Sequence, residues 1–325
     1  MIRAISALLV TLLVTMLPAP LLAQDTYPSR TVKLIIPFPP GGLFDTVGRP
    51  LADRLKESLG TVIVENINGA GSSRGAALAA RSAPDGYTLF LAGNGSHVLM
   101  PLASSKLTYD PVADFEPIAL LGTASLGIAV HPSQPYEKLA DLIAAARAEP
   151  EKFSYGSSGT GTLSHLTGEM FKLKADLPKL VHVPYSGGGP LGNDLLGGHV
   201  PLAMITLTPQ YFDLHAAKKI RILAVTSRER LAVVPEIPTA AETLPEMGAH
   251  NFAGLFAPKG TPPEIIARIA AAAEQALKDP ELQRSYAAGG FVVAKNSSPA
   301  ALRSFLAGEI AQWRTIVEAV GFKIN

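Results

Sequence analysis

The chain has 325 residues, with 28 Lys and Arg against 27 Asp and Glu, 47% hydrophobic residues and no cysteine. So even a balance gives no long-range field to gather nucleic acid or an anionic membrane surface, and without cysteine there are neither disulfides nor a thiol-linked lipid anchor. The length suits two domains stabilised by packing alone.

The amino end reads as an export signal. Arg3 precedes an almost wholly apolar run over residues 4–17, Pro18 and Pro20 break it, and Leu21-Leu22-Ala23 offers a small residue at the cut. Cleavage after Ala23 is expected, with Ala19 and Gln24 marking alternative sites. The apolar core is short for a span of about 20 residues, which weighs against an uncleaved anchor. Removing residues 1–23 takes away Arg3 and leaves 27 basic against 27 acidic residues.

Strand and helix patterns then alternate. Residues 32–36, 61–65 and 87–91 read as strands, and 44–59 and 72–82 as the helices between them. A second block follows Phe115-Glu116-Pro117. It has β-like stretches at 118–121 and 127–130, a helix over 136–148, and strands at 153–155, 181–183, 200–205 and 222–226. Another apolar run covers 250–257. Pro262-Pro263 opens a helix to Lys278, and 299–320 closes the chain as a long amphipathic helix with Trp313 as a packing residue. Strands apolar on both faces and alternating with helices predict an α/β fold with parallel sheet covered by helices. Crossings between the two domains are expected near 118–131 and 250–257, making the first domain discontinuous.

The chemistry belongs to the loops. In Pro37-Phe38-Pro39-Pro40-Gly41-Gly42 an apolar strand ends in a stiff turn and two glycines before a helix, an arrangement that presents bare backbone N–H groups to an anion. Asp45 in the first helical turn either caps those donors or meets a ligand. Asn68-Gly69-Ala70-Gly71-Ser72-Ser73 repeats the arrangement after the second strand and Asn94-Gly95-Ser96-His97 after the third, so the loops converge at the carboxyl ends of parallel strands, where open α/β sheets bind ligands. Arg74 opposes the helix dipole at a helix start. It reaches either solvent or a ligand carboxylate. Tyr155-Gly156-Ser157-Ser158-Gly159-Thr160-Gly161-Thr162 is a second anion-suited loop, with His165 the histidine placed to approach it or to cap it.

Two catalytic look-alikes fail on physical grounds. Gly71-Ser72-Ser73-Arg74-Gly75 has G-x-S-x-G spacing, but Ser73 lies eight residues beyond Glu65 instead of directly after a strand, and no Asp–His pair is identifiable. Gly187-Gly188-Gly189-Pro190-Leu191-Gly192 matches G-x-G-x-x-G, but Pro190 and the offset from its strand disqualify it as a dinucleotide fingerprint. The histidines show no close metal-ligand spacing.

Read with Tyr27-Pro28-Ser29-Arg30, Ala83-Pro84-Asp85-Gly86-Tyr87-Thr88-Leu89, Leu107-Thr108-Tyr109-Asp110-Pro111, His182-Val183-Pro184-Tyr185, Asp194-Leu195-Leu196-Gly197-Gly198, Leu223-Ala224-Val225-Thr226-Ser227, Glu236-Ile237-Pro238-Thr239 and Ala257-Pro258-Lys259-Gly260-Thr261-Pro262, these loops resemble the TctC or Bug group of tripartite tricarboxylate transporter receptors over essentially the whole mature chain. The resemblance implies a two-lobed, type II (Venus-flytrap) periplasmic binding protein, each lobe a mostly parallel sheet flanked by helices. Lobe 1 would be 24–125 plus 252–325 and lobe 2 126–251. It implies a monomer without catalytic activity, cofactor or metal, closing on a small organic carboxylate in the periplasm and passing it to membrane permease subunits.

By the same resemblance Gly41, Gly42 and Asp45 grip the ligand with help from Gly71 and Ser72, while Ser157, Thr160 and Thr162 close over it and Tyr185 walls the cleft. Arg74, Ser96, His97, His165, Asp194 and Thr206 complete the expected site. Pro201-Leu202-Ala203-Met204-Ile205-Thr206 departs from the pattern, since two acidic positions common in relatives are absent. That weakens an amino-acid ligand, for which Asp194 remains a candidate partner, and favours a plain mono- or dicarboxylate. A ligand-sensing role is the other alternative.

Overall fold

A computed structural model describes residues 27–324; the export segment and its expected cleavage after Ala23 lie outside them. The first elements are β1 (Val32–Ile36), α1 (Leu43–Leu59), β2 (Val62–Asn66), α2 (Ser73–Ala80) and β3 (Thr88–Ala92). A π-helical turn, Gly95–Leu99, leads into α3 (Met100–Ala103), followed by β4 (Phe115–Val130). The middle of the chain forms α4 (Leu139–Ala148), β5 (Ser154–Ser157), α5 (Leu163–Ala175), β6 (Val181–Pro184), α6 (Gly188–Leu196), β7 (Leu202–Thr206), α7 (Pro209–Ala216) and β8 (Arg221–Val225). Last come β9 (His250–Pro258), α8 (Pro263–Leu277), α9 (Pro280–Ala288), β10 (Phe291–Val293) and α10 (Pro299–Val320).

The local reasons are those the sequence advertises. β1 buries Val32, Leu34, Ile35 and Ile36, as a strand covered on both faces must. α1 turns Phe44, Val47, Leu51, Leu55 and Leu59 inward at three- and four-residue spacing. The Ser298 hydroxyl caps α10 by accepting from Ala301 N–H at 3.2 Å, with Pro299 at the first helical position. Left-handed Gly321 ends α10 as the Phe322 N–H returns to Val317 O at 3.1 Å.

The sheet is mixed. Its order is β2-β1-β3-β9-β4-β7-β5-β6, with β8 and β10 also on β4. Parallel pairing is confined to β2-β1-β3 and β7-β5-β6, while β9 and β4 join these runs in antiparallel sense. This corrects the expectation of mostly parallel sheets. The two stretches expected at 118–121 and 127–130 are one sixteen-residue strand, β4. Within it Gly122 marks a register shift where a Cβ would come within 2.2 Å of Val292 O. Along β4, residues 115–125 pair with β9, and 126–130 pair with β7 and β8. One apolar cluster runs through both halves of the sheet, from Ile35 and Phe90 through Leu126 and Tyr155 to Trp313 on α10. Trp313 is fully buried, as a packing residue should be.

The tightest helix–strand approach involves Gly168 of α5, where a Cβ would fall 2.0 Å from the ring of fully buried Tyr155. That ring cannot retreat freely, because its hydroxyl donates to Glu169 Oε1 at 2.6 Å. Gly168→Ala should therefore destabilise the protein by about 1–3 kcal/mol through overpacking, lowering the urea midpoint at unchanged slope.

Candidate functional site

The loop between β1 and α1 is built around one carboxylate. Asp45 is 7% exposed and accepts from Gly41 N–H at 2.9 Å, Arg49 Nε at 2.9 Å and Asn66 Nδ2 at 3.1 Å. Asn66, at the end of β2, also donates to Phe38 O at 2.9 Å. Burial alone would raise the Asp45 pKa, but these hydrogen bonds hold it below the ordinary carboxylate value. Of the two expected roles, Asp45 thus fills the capping one, spending its oxygens inside the protein. Gly41 takes φ +85° and its N–H is committed to Asp45. The Gly42 carbonyl begins α1 by accepting from the Asp45 and Thr46 N–H groups, each at 3.0 Å. Among the described residues no partner accepts from the N–H groups of Leu43 or Phe44, the orphan donors that suit an anion, while Gly42 closes the turn at Pro40 and Gly41.

The next loop packs against this one. Ala70, Gly71 and Ser72 all take positive φ, at 47°, 61° and 79°, strain that the surroundings must impose on the two non-glycines. Gly71 has no room for a Cβ, which would strike Met100 Sδ at 2.7 Å. Ser72 is 2% exposed, and its hydroxyl contacts the Gly71 carbonyl. Arg74 is exposed, lays its Cδ 3.5 Å from where a Gly69 Cβ would sit, and forms no ion pair among the described residues.

Two expected site residues fall elsewhere. Ser96 and His97 are fully buried. The π turn carries them beneath the rim instead of along it. The Ser96 hydroxyl bridges Gly93 and His97 Nδ1, and the imidazole sits among Phe90, Phe115 and Phe256 at centroid distances of 5.8, 4.8 and 4.4 Å. Burial drives the His97 pKa down to about 3. It is a neutral core histidine.

The loop after β5 is a hydroxyl-rich turn. Ser157 is fully buried, its Oγ 2.7 Å from His182 Nε2 on β6. Thr162 caps α5, accepting from His165 N–H at 3.4 Å while donating to Gly159 O at 2.7 Å. Gly161 N–H donates to His165 Nδ1 at 3.1 Å, and His165 stacks on His182 at 4.0 Å. His165 therefore takes the inter-loop hydrogen-bonding role. Thr160 is exposed and free to meet a ligand.

Tyr185 folds over Gly156 and donates to Asp194 Oδ2 at 2.8 Å; Asp194 Oδ1 lies 3.4 Å from His199 Nδ1. Thr206 ends β7 with Asn251 Nδ2 at 3.5 Å. His182, Asn66 and Arg49 are the positioning side chains that sequence reasoning missed. His182 lay in a quoted motif, but its pairing with Ser157 spans 25 residues.

The loops after β1 and β2 thus pack together at one set of parallel strand ends, and those after β5 and β6 at another. A cavity of about 1110 Å³ lies apart from both, between Leu231–Val233 and the segment from Leu277 to Ser298. Convergent polar loops outweigh volume here. In that cavity Lys278 is already tied to Glu274. Among the described residues no cluster of three metal-ligating side chains occurs, and no helix is long and apolar enough to cross a membrane.

A mixed sheet flanked by helices, with two crossing strands and loops at both sets of parallel strand ends, is the type II periplasmic-binding-protein fold. The chain belongs to the TctC family, the tripartite tricarboxylate transporter family receptors, whose profile matches residues 47–322. It is 34% identical over 306 residues to protein BugT of Bordetella pertussis, covering 93% of each chain. Among solved structures it is similar to an adipate complex from R. palustris (31% identity, TM-score 0.81, 91% of this chain and 99% of that one). It is also similar to malate-bound MatC from Rhodopseudomonas palustris (30% identity, TM-score 0.78, 90% and 100%). The protein is accordingly a periplasmic solute receptor of a tripartite tricarboxylate transporter, not an enzyme.

The stacked histidines give the second loop a pH signature. Burial first, then neighbouring His165, depresses the His182 pKa from 6.5 to about 4. The unfolded chain thus binds a proton near the ordinary value that the folded protein refuses until about pH 4, so stability present above that value is lost as pH falls through this window. His182→Gln keeps an acceptor for Ser157 and removes the titration. Its urea midpoint should fall less than that of the wild type between about pH 7 and about pH 5, where His titrates in the unfolded chain.

Proposed function

We propose that this receptor binds a small organic mono- or dicarboxylate between two lobes, residues 24–125 plus 252–325 and residues 126–251. Export would end in cleavage near Ala23, and the mature monomer would dock transiently on the permease subunits. The observation that carries the reading is the unspent N–H groups of Leu43 and Phe44, paired with a hydroxyl loop, Ser157 to Thr162, in the other half of the chain. Malate and adipate in similar receptors support the ligand class. The lobe division is supported by β4, which changes partner between Ser125 and Leu126.

In this reading Gly41, Gly42, Gly71 and Ser72 shape the first wall, and Ser157, Thr160, Thr162 and Tyr185 the second. An amino-acid ligand is disfavoured, because its candidate acid, Asp194, is engaged with Tyr185 and His199.

Calorimetry against a panel of organic acids that includes adipate and malate tests the reading. At least one acid should bind at micromolar strength or better, about −8 kcal/mol, and contract the radius of gyration in small-angle scattering. Silence across the whole panel would overturn it. If exposed Arg74 turns toward the ligand, the natural ligand is a diacid. Arg74→Met should then cost adipate about 1.5–3 kcal/mol, the scale of a charge-assisted hydrogen bond, and hexanoate much less. Equal losses would make Arg74 structural.

A further inference from the structure

The segment after α10, residues 321–324, connects the two loop systems. Phe322 meets the His165 ring edge-on at 5.2 Å. A Cβ on Gly161 would lie 3.0 Å from Ile324 Cδ1 and 3.2 Å from Phe322 Cζ. The tail therefore lies directly on the Gly159–Thr162 turn, with Gly161 at φ +79° leaving space for it. At the same time Ile324 N–H donates to Ala103 O at 2.8 Å, at the end of α3 and thus beside the loops that follow β1, β2 and β3. Phe322 and Ile324 are half-buried. Side chains held on one half of the fold and backbone held on the other are poorly explained as helix termination, which Gly321 and the Phe322 N–H already accomplish.

We propose that Phe322 and Ile324 are positioning residues for ligand binding, with the carboxyl-terminal tail holding the Ser157–Thr162 loop in its binding arrangement and tying it to α3. The inference rests on the reading of that loop as one wall of the carboxylate site. An unrestrained loop would sample other arrangements. Apparent affinity falls by the fraction of molecules that are binding-competent, so the tail raises affinity without touching the ligand.

Three variants test this: Phe322→Ala, Phe322→Leu and a chain ending at Gly321. Phe322→Ala retains the N–H that closes α10, so the fold survives even where the shortened chain fails. In ligand-free protein, amide hydrogen exchange at Gly161 and Thr162, whose N–H groups serve His165 Nδ1 and Gly159 O, should accelerate about tenfold through local opening in Phe322→Ala and the shortened chain. Amides of β4 should keep their rates, and Phe322→Leu should restore most of the protection at Gly161. Adipate and malate should bind about tenfold more weakly to Phe322→Ala as the competent fraction drops. Unchanged exchange at Gly161 overturns the proposal, and so does faster exchange with unchanged affinity. A wild-type protein that binds no acid counts against the carboxylate reading alone, since the exchange rates still decide whether the tail orders the loop.

Discussion

The structure hangs on β4. Its sixteen residues carry β9 and β10 along one stretch and β7 and β8 along the next, so both halves of the sheet take their register from a single strand. Where the partners change, the backbone ladder loses continuity and its donors need replacements. Two hydroxyls supply them. The buried Ser125 Oγ accepts from the N–H groups of Thr226 and Ser227 at 3.1 and 3.0 Å. Thr226 Oγ1 accepts from Leu126 N–H at 3.0 Å and donates to Ala249 O at 2.6 Å. The junction is thus closed by short side chains together with backbone bonds, from Thr226 N–H to Leu126 O at 2.9 Å and from Leu207 N–H to Ser125 O at 3.1 Å, so the two half-sheets part without orphaned buried groups.

A second buried polar centre ties the amino-terminal loops to the last helix. Glu309 on α10 is 5% exposed and accepts from Asn94 Nδ2 at 3.0 Å and Trp313 Nε1 at 3.3 Å, while Asn94 Oδ1 accepts from Phe252 N–H on β9 at 2.9 Å. His250 Nε2 lies 3.1 Å from Glu309 Oε1. Asn94 is the residue from which the π turn departs. Its side chain explains why the segment that sequence reasoning placed on the rim instead runs inward, taking Ser96 and His97 into the core.

What could be read in the chain followed physical locality. β1, the helix before Gly60 and α10 were legible because each is marked by its own apolar period and its own caps, and α10 runs over 299–320 as expected. The continuity of β4 was not legible, because its pairing changes register and then partner along its length, and those partners lie far off in the chain. The run Gly188-Gly189-Pro190 concealed α6, because a weak helix former at a first turn is tolerated once tertiary packing holds the rest. At the site, the glycine and hydroxyl loops were visible as composition. Their internal wiring was not. Arg49 lies four residues from Asp45 and was within reach of helix periodicity, whereas the contacts of Asn66 with Asp45 and of His182 with Ser157 join loops 21 and 25 residues apart.

The two loop systems solve one electrostatic problem in different ways. Neither presents a buried cation. The first commits the charge of Asp45 to Arg49, Asn66 and the Gly41 N–H. The second stacks two histidines whose pKa values burial lowers, keeping them neutral near pH 7. In the proposed reading, what these loops offer an anion is backbone N–H groups and hydroxyls. A desolvated ion pair would bind tightly only by leaving a cation uncompensated whenever the ligand departs, a penalty of several kcal/mol in a buried site. Neutral donors avoid that penalty, because water satisfies them when the site empties. In the proposed reading, a receptor that surrenders its solute to a permease gains from this absence of a buried opposing charge, and, Arg74 apart, selectivity among acids would come from the spacing of the donors and the shape of the walls.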